Sequence, residues 1–202
     1  MEDPQILTRR ERNKWETRER LLDAARVLFA ARGVTGTTID AITTKADVAR
    51  ATFFNYFPGK DAVLAAMHVS HMDKLSAVVD GLLARDLTTE ERIIGLFDDF
   101  VDQSSRHAAY LRVVTGELER DLATPEISAA RTDLFNEEIL RILEFGMAKG
   151  EVRPDYPLLF LAQMVAAVYV SVIRNWRQDP DYDLEDGFGK ASRFVAEALA
   201  PR

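Results

Sequence analysis

Arg50, Ala51, Thr52, Asn55 and Tyr56 fall within the single stretch Val48 to Phe57, and their types suit the reading of duplex DNA. Arginine pairs through two N–H groups with guanine, asparagine pairs with adenine, and an alanine or threonine methyl packs on thymine. The hydroxyl of Tyr56 and the ammonium of Lys60 suit phosphate oxygens. In a helix, Phe53 and Phe57 lie four apart and would anchor one face on a small core with Val48, Ile39 and Ile42, which turns the five candidate readers outward. Thr38 opens the preceding helix, where its backbone N–H is available to a phosphate. The basic run Arg9-Arg10-Glu11-Arg12-Asn13-Lys14 adds non-specific or minor-groove attraction.

The charge distribution supports this reading even though the 202-residue chain carries a net charge of -7. Residues 5–60 hold 11 Lys and Arg against 6 Asp and Glu, whereas residues 61–202 hold 15 against 25. The positive charge therefore belongs to the end that carries the candidate readers, and the acidic remainder needs another role.

The elements that position these residues are helical throughout. Apolar residues recur at three- and four-residue spacing, with no alternating strand run. A first helix is predicted from about Trp15 to Arg32, stopped by Gly33. Thr37-Thr38-Ile39-Asp40 reads as a capping box for a second that ends near Ala46. Asp47 begins the turn into a third, which Pro58 ends. A fourth runs from Lys60-Asp61 to about Leu83, and Thr88-Thr89-Glu90-Glu91 caps a fifth. A sixth covers Leu111 to Leu122, and Thr124-Pro125-Glu126 opens a seventh. Pro157 to Arg177 and Leu184 to Leu199 make an eighth and a ninth. The expected fold is all-α, with about nine helices.

Two short helices joined by Lys45-Ala46-Asp47-Val48 have helix-turn-helix spacing. Residues 17–64, and above all Thr52-Phe53-Phe54-Asn55-Tyr56-Phe57-Pro58-Gly59-Lys60-Asp61, resemble the DNA-binding domain of the TetR family. The resemblance implies that Thr38, Lys45, Arg50, Thr52, Asn55, Tyr56 and Lys60 occupy positions that commonly touch operator DNA. It also implies a transcriptional regulator, here expected to be a repressor on a palindromic operator. Asp47 stands where the family often has glycine, and Ala49 where a serine often caps the reading helix. The expected organisation is a basic arm at 1–16, a helix-turn-helix domain at 17–64 and a ligand-binding and dimerisation domain at 65–202.

Beyond residue 65 the resemblance lies in helix order. It implies a homodimer through the last two long helices and a cavity for a small-molecule effector, apolar or amphipathic, that releases the DNA. The eighth helix is apolar around most of its circumference and needs partners on two faces, with Phe188, Phe194, Val195 and Leu199 contributing from the ninth. Its most apolar run, Leu158 to Ile173, is broken by Gln163 and Ser171 and is read as too short to span a bilayer. Candidate effector-lining residues are Phe97, Phe100, Val101, Tyr110, Val114, Phe135, Leu143, Met147, Met164, Val168 and Trp176, since aromatic and methionine side chains make adaptable apolar walls. Glu117 and Asp121 suit a cationic ligand or a solvated face.

Other chemistry finds little support in the residues. Without cysteine there is no disulfide or thiolate site, which fits a cytoplasmic location. The charged N-terminus lacks the apolar core of a secretory signal. His68 and His71 lie three apart on the fourth helix but lack an evident third metal ligand, and they read better as surface histidines near the domain junction. No phosphate loop, nucleophile elbow or zinc signature is visible, so neither an enzyme nor a cofactor is expected. The competing reading is a helical ligand-binding module without sequence-specific DNA recognition.

Overall fold

The computed structural model describes residues 8–121 and 125–201, with the side chains of 114 and 117–133 excepted. Among the described residues it is all helical, with α1 (Arg9–Arg32), α2 (Ile39–Ala46), α3 (Arg50–Tyr56), α4 (Lys60–Leu83), α5 (Thr89–Asp121), α6 (Pro125–Ala148), α7 (Leu158–Gln178) and α8 (Leu184–Leu199). These form two compact units. Residues 1–69 and 109–114 make the first, and residues 70–108 and 115–202 the second.

In the first unit, α1 begins at Arg9 rather than near Trp15. Thr8 and Glu11 form a reciprocal cap in which the Glu11 N–H donates to Thr8 Oγ1 at 3.3 Å and the Thr8 N–H donates to Glu11 Oε2 at 2.8 Å. Residues 9–16 are all exposed, so no apolar stripe reports this helix in the sequence. The stripe starts at Leu21 and continues through Leu22, Ala25, Leu28 and Phe29, which pack with Ile42, Phe53, Phe57, Val63 and Met67. Gly33, at φ 70°, ends α1 in a backbone region that favours glycine. Thr37 is buried and does not cap α2. Its hydroxyl donates to the Gly33 and Leu28 carbonyls at 2.7 and 3.2 Å, which closes the loop after α1.

In the second unit, the fifth and sixth predicted helices meet at His107, whose non-helical backbone (φ -137°, ψ 31°) puts a kink between two helical stretches within α5, a little before the expected start of the sixth at Leu111. The Thr88–Glu91 capping box does open α5. Contacts to other elements hold the start of α5 in place. The Thr89 N–H and hydroxyl both donate to Glu151 Oε2 at 2.7 Å. Arg92, wholly buried, donates to the carbonyl of Leu82 in the last turn of α4 and to that of Arg85 just beyond it, and its guanidinium lies 4.4 Å over the Phe145 ring.

The helix α7 packs against both α6 and α8. Its buried face includes Leu161, Val165, Tyr169, Val172 and Trp176. At 21 residues it is, by length and composition alone, long and apolar enough to cross a membrane; the apolar run Leu158 to Ile173 is continued to Gln178 by a turn that carries Arg174 and Arg177. The Thr124 cap expected for α6 lies outside the described residues.

Candidate nucleic-acid interface

The turn between α2 and α3 is built around Asp47, which adopts a left-handed conformation (φ 53°, ψ 55°) where glycine carries the least steric penalty. Its N–H and that of Val48 return to the carbonyls of Thr44 and Thr43 at 3.3 and 3.1 Å and so satisfy the end of α2. Ala49 occupies the N-cap of α3 without a side-chain hydrogen bond. Packing rather than capping therefore holds α3. Phe53 and Phe57 are buried with ring centroids 5.9 Å apart, and Ile42 lies in the same core with Val48 and Ile39 partly buried against it.

That anchoring turns the outer face of α3 to solvent. Arg50, Ala51 and Asn55 are exposed, and Thr52 is half-buried. Tyr56 is also half-buried and leans on the core of the first unit. On α2, Lys45 is exposed in the last turn, and Thr38 is exposed at the N-cap, where its hydroxyl accepts from the Ala41 N–H at 3.1 Å. The residue that answers Thr38 is thus Ala41 through its backbone. The Asp40 carboxylate takes no part in that cap and instead forms an ion pair with Arg50.

Lys60 departs from its reading as a free phosphate ligand. It is half-buried, and its ammonium donates to the Val34 and Thr37 carbonyls at 2.7 and 2.8 Å. Two of the three ammonium donors are committed, leaving at most one for a phosphate. Its main effect is to fasten the start of α4 to the loop between α1 and α2.

The second unit contains the apolar interior expected of an effector-binding half. Phe97 and Phe100 of α5, Phe135 of α6 and Trp176 of α7 join Tyr169 and Phe188 in one aromatic cluster. Centroids lie 5.1 Å apart for Phe97–Tyr169 and Phe135–Tyr169, 5.5 Å for Phe97–Phe188 and 6.2 Å for Phe100–Trp176. All four of these pairs are edge-on or tilted, as ring quadrupoles prefer. Tyr169 is the central member that sequence reasoning missed, although its spacing of seven from Trp176 places both on one helical face. Burial, with the Asp99 charge adding to it, holds the Tyr169 phenol far above its ordinary pKa.

The other predicted lining residues divide. Leu143 is buried, and Val101, Met147 and Val168 are half-buried in the second unit. Met164 is exposed on α7, away from that helix's buried face. Tyr110 belongs to the first unit, where it packs against the apolar core; burial raises its pKa and a hydrogen bond with Arg26 opposes the rise. The side chains of Val114, Glu117 and Asp121 lie outside the described residues. Phe188, Val195 and Leu199 of α8 are buried within the chain, and of the four residues expected to face a partner only Phe194 is exposed. His68 is buried rather than on the surface, and His71 is half-buried with its pKa pushed down by burial and by Lys74. No set of three or more metal-ligating side chains occurs among the described residues.

Comparison with known proteins agrees with this architecture. Residues 21–67 match the model of "Bacterial regulatory proteins, tetR family". The chain is 31% identical over 101 residues to the uncharacterized HTH-type transcriptional regulator TtgW of Pseudomonas putida, a match that covers 50% of this chain and 75% of that one. It is 27% identical over 194 residues, 93% of each chain, to MftR of Mycobacterium tuberculosis, named for a proposed role as a regulator of mycofactocin biosynthesis. Among solved structures it resembles the TetR family repressor FadR of Thermus thermophilus in complex with lauroyl-CoA, at 28% identity and a TM-score of 0.71, covering 92% of this chain and 96% of that one. The left-handed turn, the phenylalanine-anchored third helix and these relatives lead to one assignment: the chain belongs to the TetR family of bacterial transcriptional regulators, which bind DNA through a helix-turn-helix.

Proposed function

We propose that this regulator represses transcription by binding a palindromic operator as a homodimer, and that a small apolar or amphipathic effector releases it. Arg50, Ala51, Thr52 and Asn55 read bases in the major groove, while Thr38, Lys45 and Tyr56 hold phosphates. The observation that carries this reading is the outward face of α3, where Arg50, Ala51 and Asn55 are exposed while Phe53 and Phe57 are buried behind them. The helical segment Arg9–Lys14 strengthens the electrostatic pull on the DNA. The effector occupies the aromatic interior of the second unit around Tyr169, and the protein acts in the cytoplasm.

Dimerisation is supported by an apolar surface that the single chain leaves uncovered. Leu159, Phe160 and Met164 of α7 and Phe194 of α8 are all exposed, and large apolar side chains gathered at the surface mark interaction sites. The effector class takes its first candidate from the Thermus thermophilus FadR complex, whose ligand is lauroyl-CoA. A long acyl chain suits walls of aromatic rings.

The test is to challenge the full-length protein with a genomic-fragment library at two salt concentrations and to sequence what is retained. Enrichment of a palindromic site is expected, with Arg50→Ala weakening it by about tenfold or more, the scale of one lost base contact. Lauroyl-CoA added to the wild-type complex is expected to lower operator occupancy. Uniform, salt-sensitive retention of all fragments would overturn sequence-specific reading, and saturating lauroyl-CoA without effect on occupancy would exclude it as the effector.

A further inference from the structure

Asp40 carries no part of the cap of α2, yet it occupies the first turn of that helix beside the surface that meets DNA. A carboxylate there repels phosphates. Its Oδ1 accepts a hydrogen bond from Nη1 of Arg50, the first residue of α3, and the Arg50 guanidinium carbon also lies 5.8 Å over the Phe54 ring. Phe54 is itself half-exposed at 47% and meets Phe53 edge-on at 5.5 Å, so the buried ring steadies the exposed one. The guanidinium is thus bracketed by a charge from α2 and a ring from its own helix.

We infer that Asp40 is a positioning and specificity-determining residue, which holds Arg50 in the orientation that reads guanine and disfavours complexes with unrelated sequences. The inference rests on α3 being the base-reading helix. An arginine side chain has many rotamers, and discrimination improves when its fork is held before it meets the base. The bond to Asp40 uses one of five guanidinium N–H groups, which leaves enough for a two-point pairing with guanine O6 and N7. In stability terms the pair is worth little, because the two side chains are 59% and 66% exposed. On correct DNA the carboxylate stays neutralised by an arginine that is also engaged with a base. On incorrect DNA the held guanidinium finds no base partner, and the Asp40 carboxylate is brought beside the phosphate backbone without that compensation, which is unfavourable.

The experiment selects sites from a randomised duplex library with full-length wild type, Asp40→Asn, Arg50→Ala and Asp40→Glu, alongside thermal unfolding of each. Wild type is expected to prefer guanine at one position of each half-site, and Arg50→Ala to lose that preference. Asp40→Asn is expected to weaken the same preference about three- to tenfold. It should also bind non-selected duplex more tightly, with a salt slope steeper by about one and an unchanged thermal midpoint. Asp40→Glu should restore part of the preference. Full guanine preference in Asp40→Asn, with the preference lost in Arg50→Ala, would overturn the positioning role alone. Guanine preference kept in both variants would overturn the reading of α3 as well. Loss of a cytosine preference elsewhere in the site would instead give Asp40 a direct base contact, and a lowered thermal midpoint with specificity intact would make it structural; either result overturns the inference.

Discussion

Lys60 and Asp40 are both charged residues of the first unit, close to the candidate DNA-reading helix, and each turns its charge towards protein. Residue type announces a phosphate ligand in the first case and a helix cap in the second. Neither partner is local, since Lys60 reaches carbonyls 26 and 23 positions earlier and Asp40 meets an arginine 10 positions later. The exposure of the candidate readers Arg50, Ala51 and Asn55 is legible because the two phenylalanines fix the inner face by spacing alone. A third charged residue gives a test in the second unit. Asp99 of α5 is half-buried, and burial raises its carboxyl pKa, with Gln103 opposing and Asp102 reinforcing the rise. A carboxyl whose folded pKa lies above its unfolded value of 3.8 costs stability once pH rises through the interval between them, and the cost persists at neutral pH. Asp99→Asn is therefore expected to raise the thermal midpoint at neutral pH and to lose that advantage below pH 3.8. An unchanged midpoint at neutral pH would mean that the carboxylate is better solvated than its surroundings indicate.

Helix boundaries followed stop and start signals closely where those signals were strong. Pro58, Gly33 and the Thr88–Glu91 box act where their chemistry predicts. Where signals were weak the boundaries are less legible. The exposed first turns of α1 have a cap and no apolar stripe, so the predicted helix begins too late, and the kink at His107 that parts the two stretches of α5 carries no cap or proline to mark its position. The α2–α3 turn offers the test at this scale. Ala49 leaves the start of α3 without a side-chain acceptor, so Ala49→Ser should stabilise the first unit by about 1 kcal/mol. Urea unfolding followed by circular dichroism would read this as a higher midpoint with the same slope. A lower midpoint would mean that serine at this position disturbs the turn more than it satisfies α3.

For the molecule as a whole, the sequence separates a basic end from an acidic remainder, and the basic residues 9–60 all fall in the first compact unit, which also takes in residues 61–69 and 109–114. The aromatic interior was legible in its members, Phe97, Phe100, Phe135 and Trp176, because large apolar residues on helices must be buried somewhere. Which face of α7 would stay uncovered was not legible, because Leu159, Phe160 and Met164 differ little in type from the Leu161, Val165 and Tyr169 that are buried. The exposed set sets up a test of assembly. Phe194→Glu places a charge on the most exposed of these apolar side chains, at 63%, and under the proposed homodimer is expected to shift dimer to monomer in sedimentation at micromolar concentration while the helical circular dichroism is retained. An unshifted dimer would place the interface elsewhere.

The cap formed by Thr8 and Glu11 makes the basic segment behind it a helix before any DNA is present. Were Arg9 to Lys14 a loose thread, fixing it along a phosphate backbone would sacrifice conformational entropy of about 1–2 kcal/mol for each residue ordered. A segment already wound has little of that freedom left to surrender, so the attraction of its arginines and lysine for phosphate passes more fully into affinity.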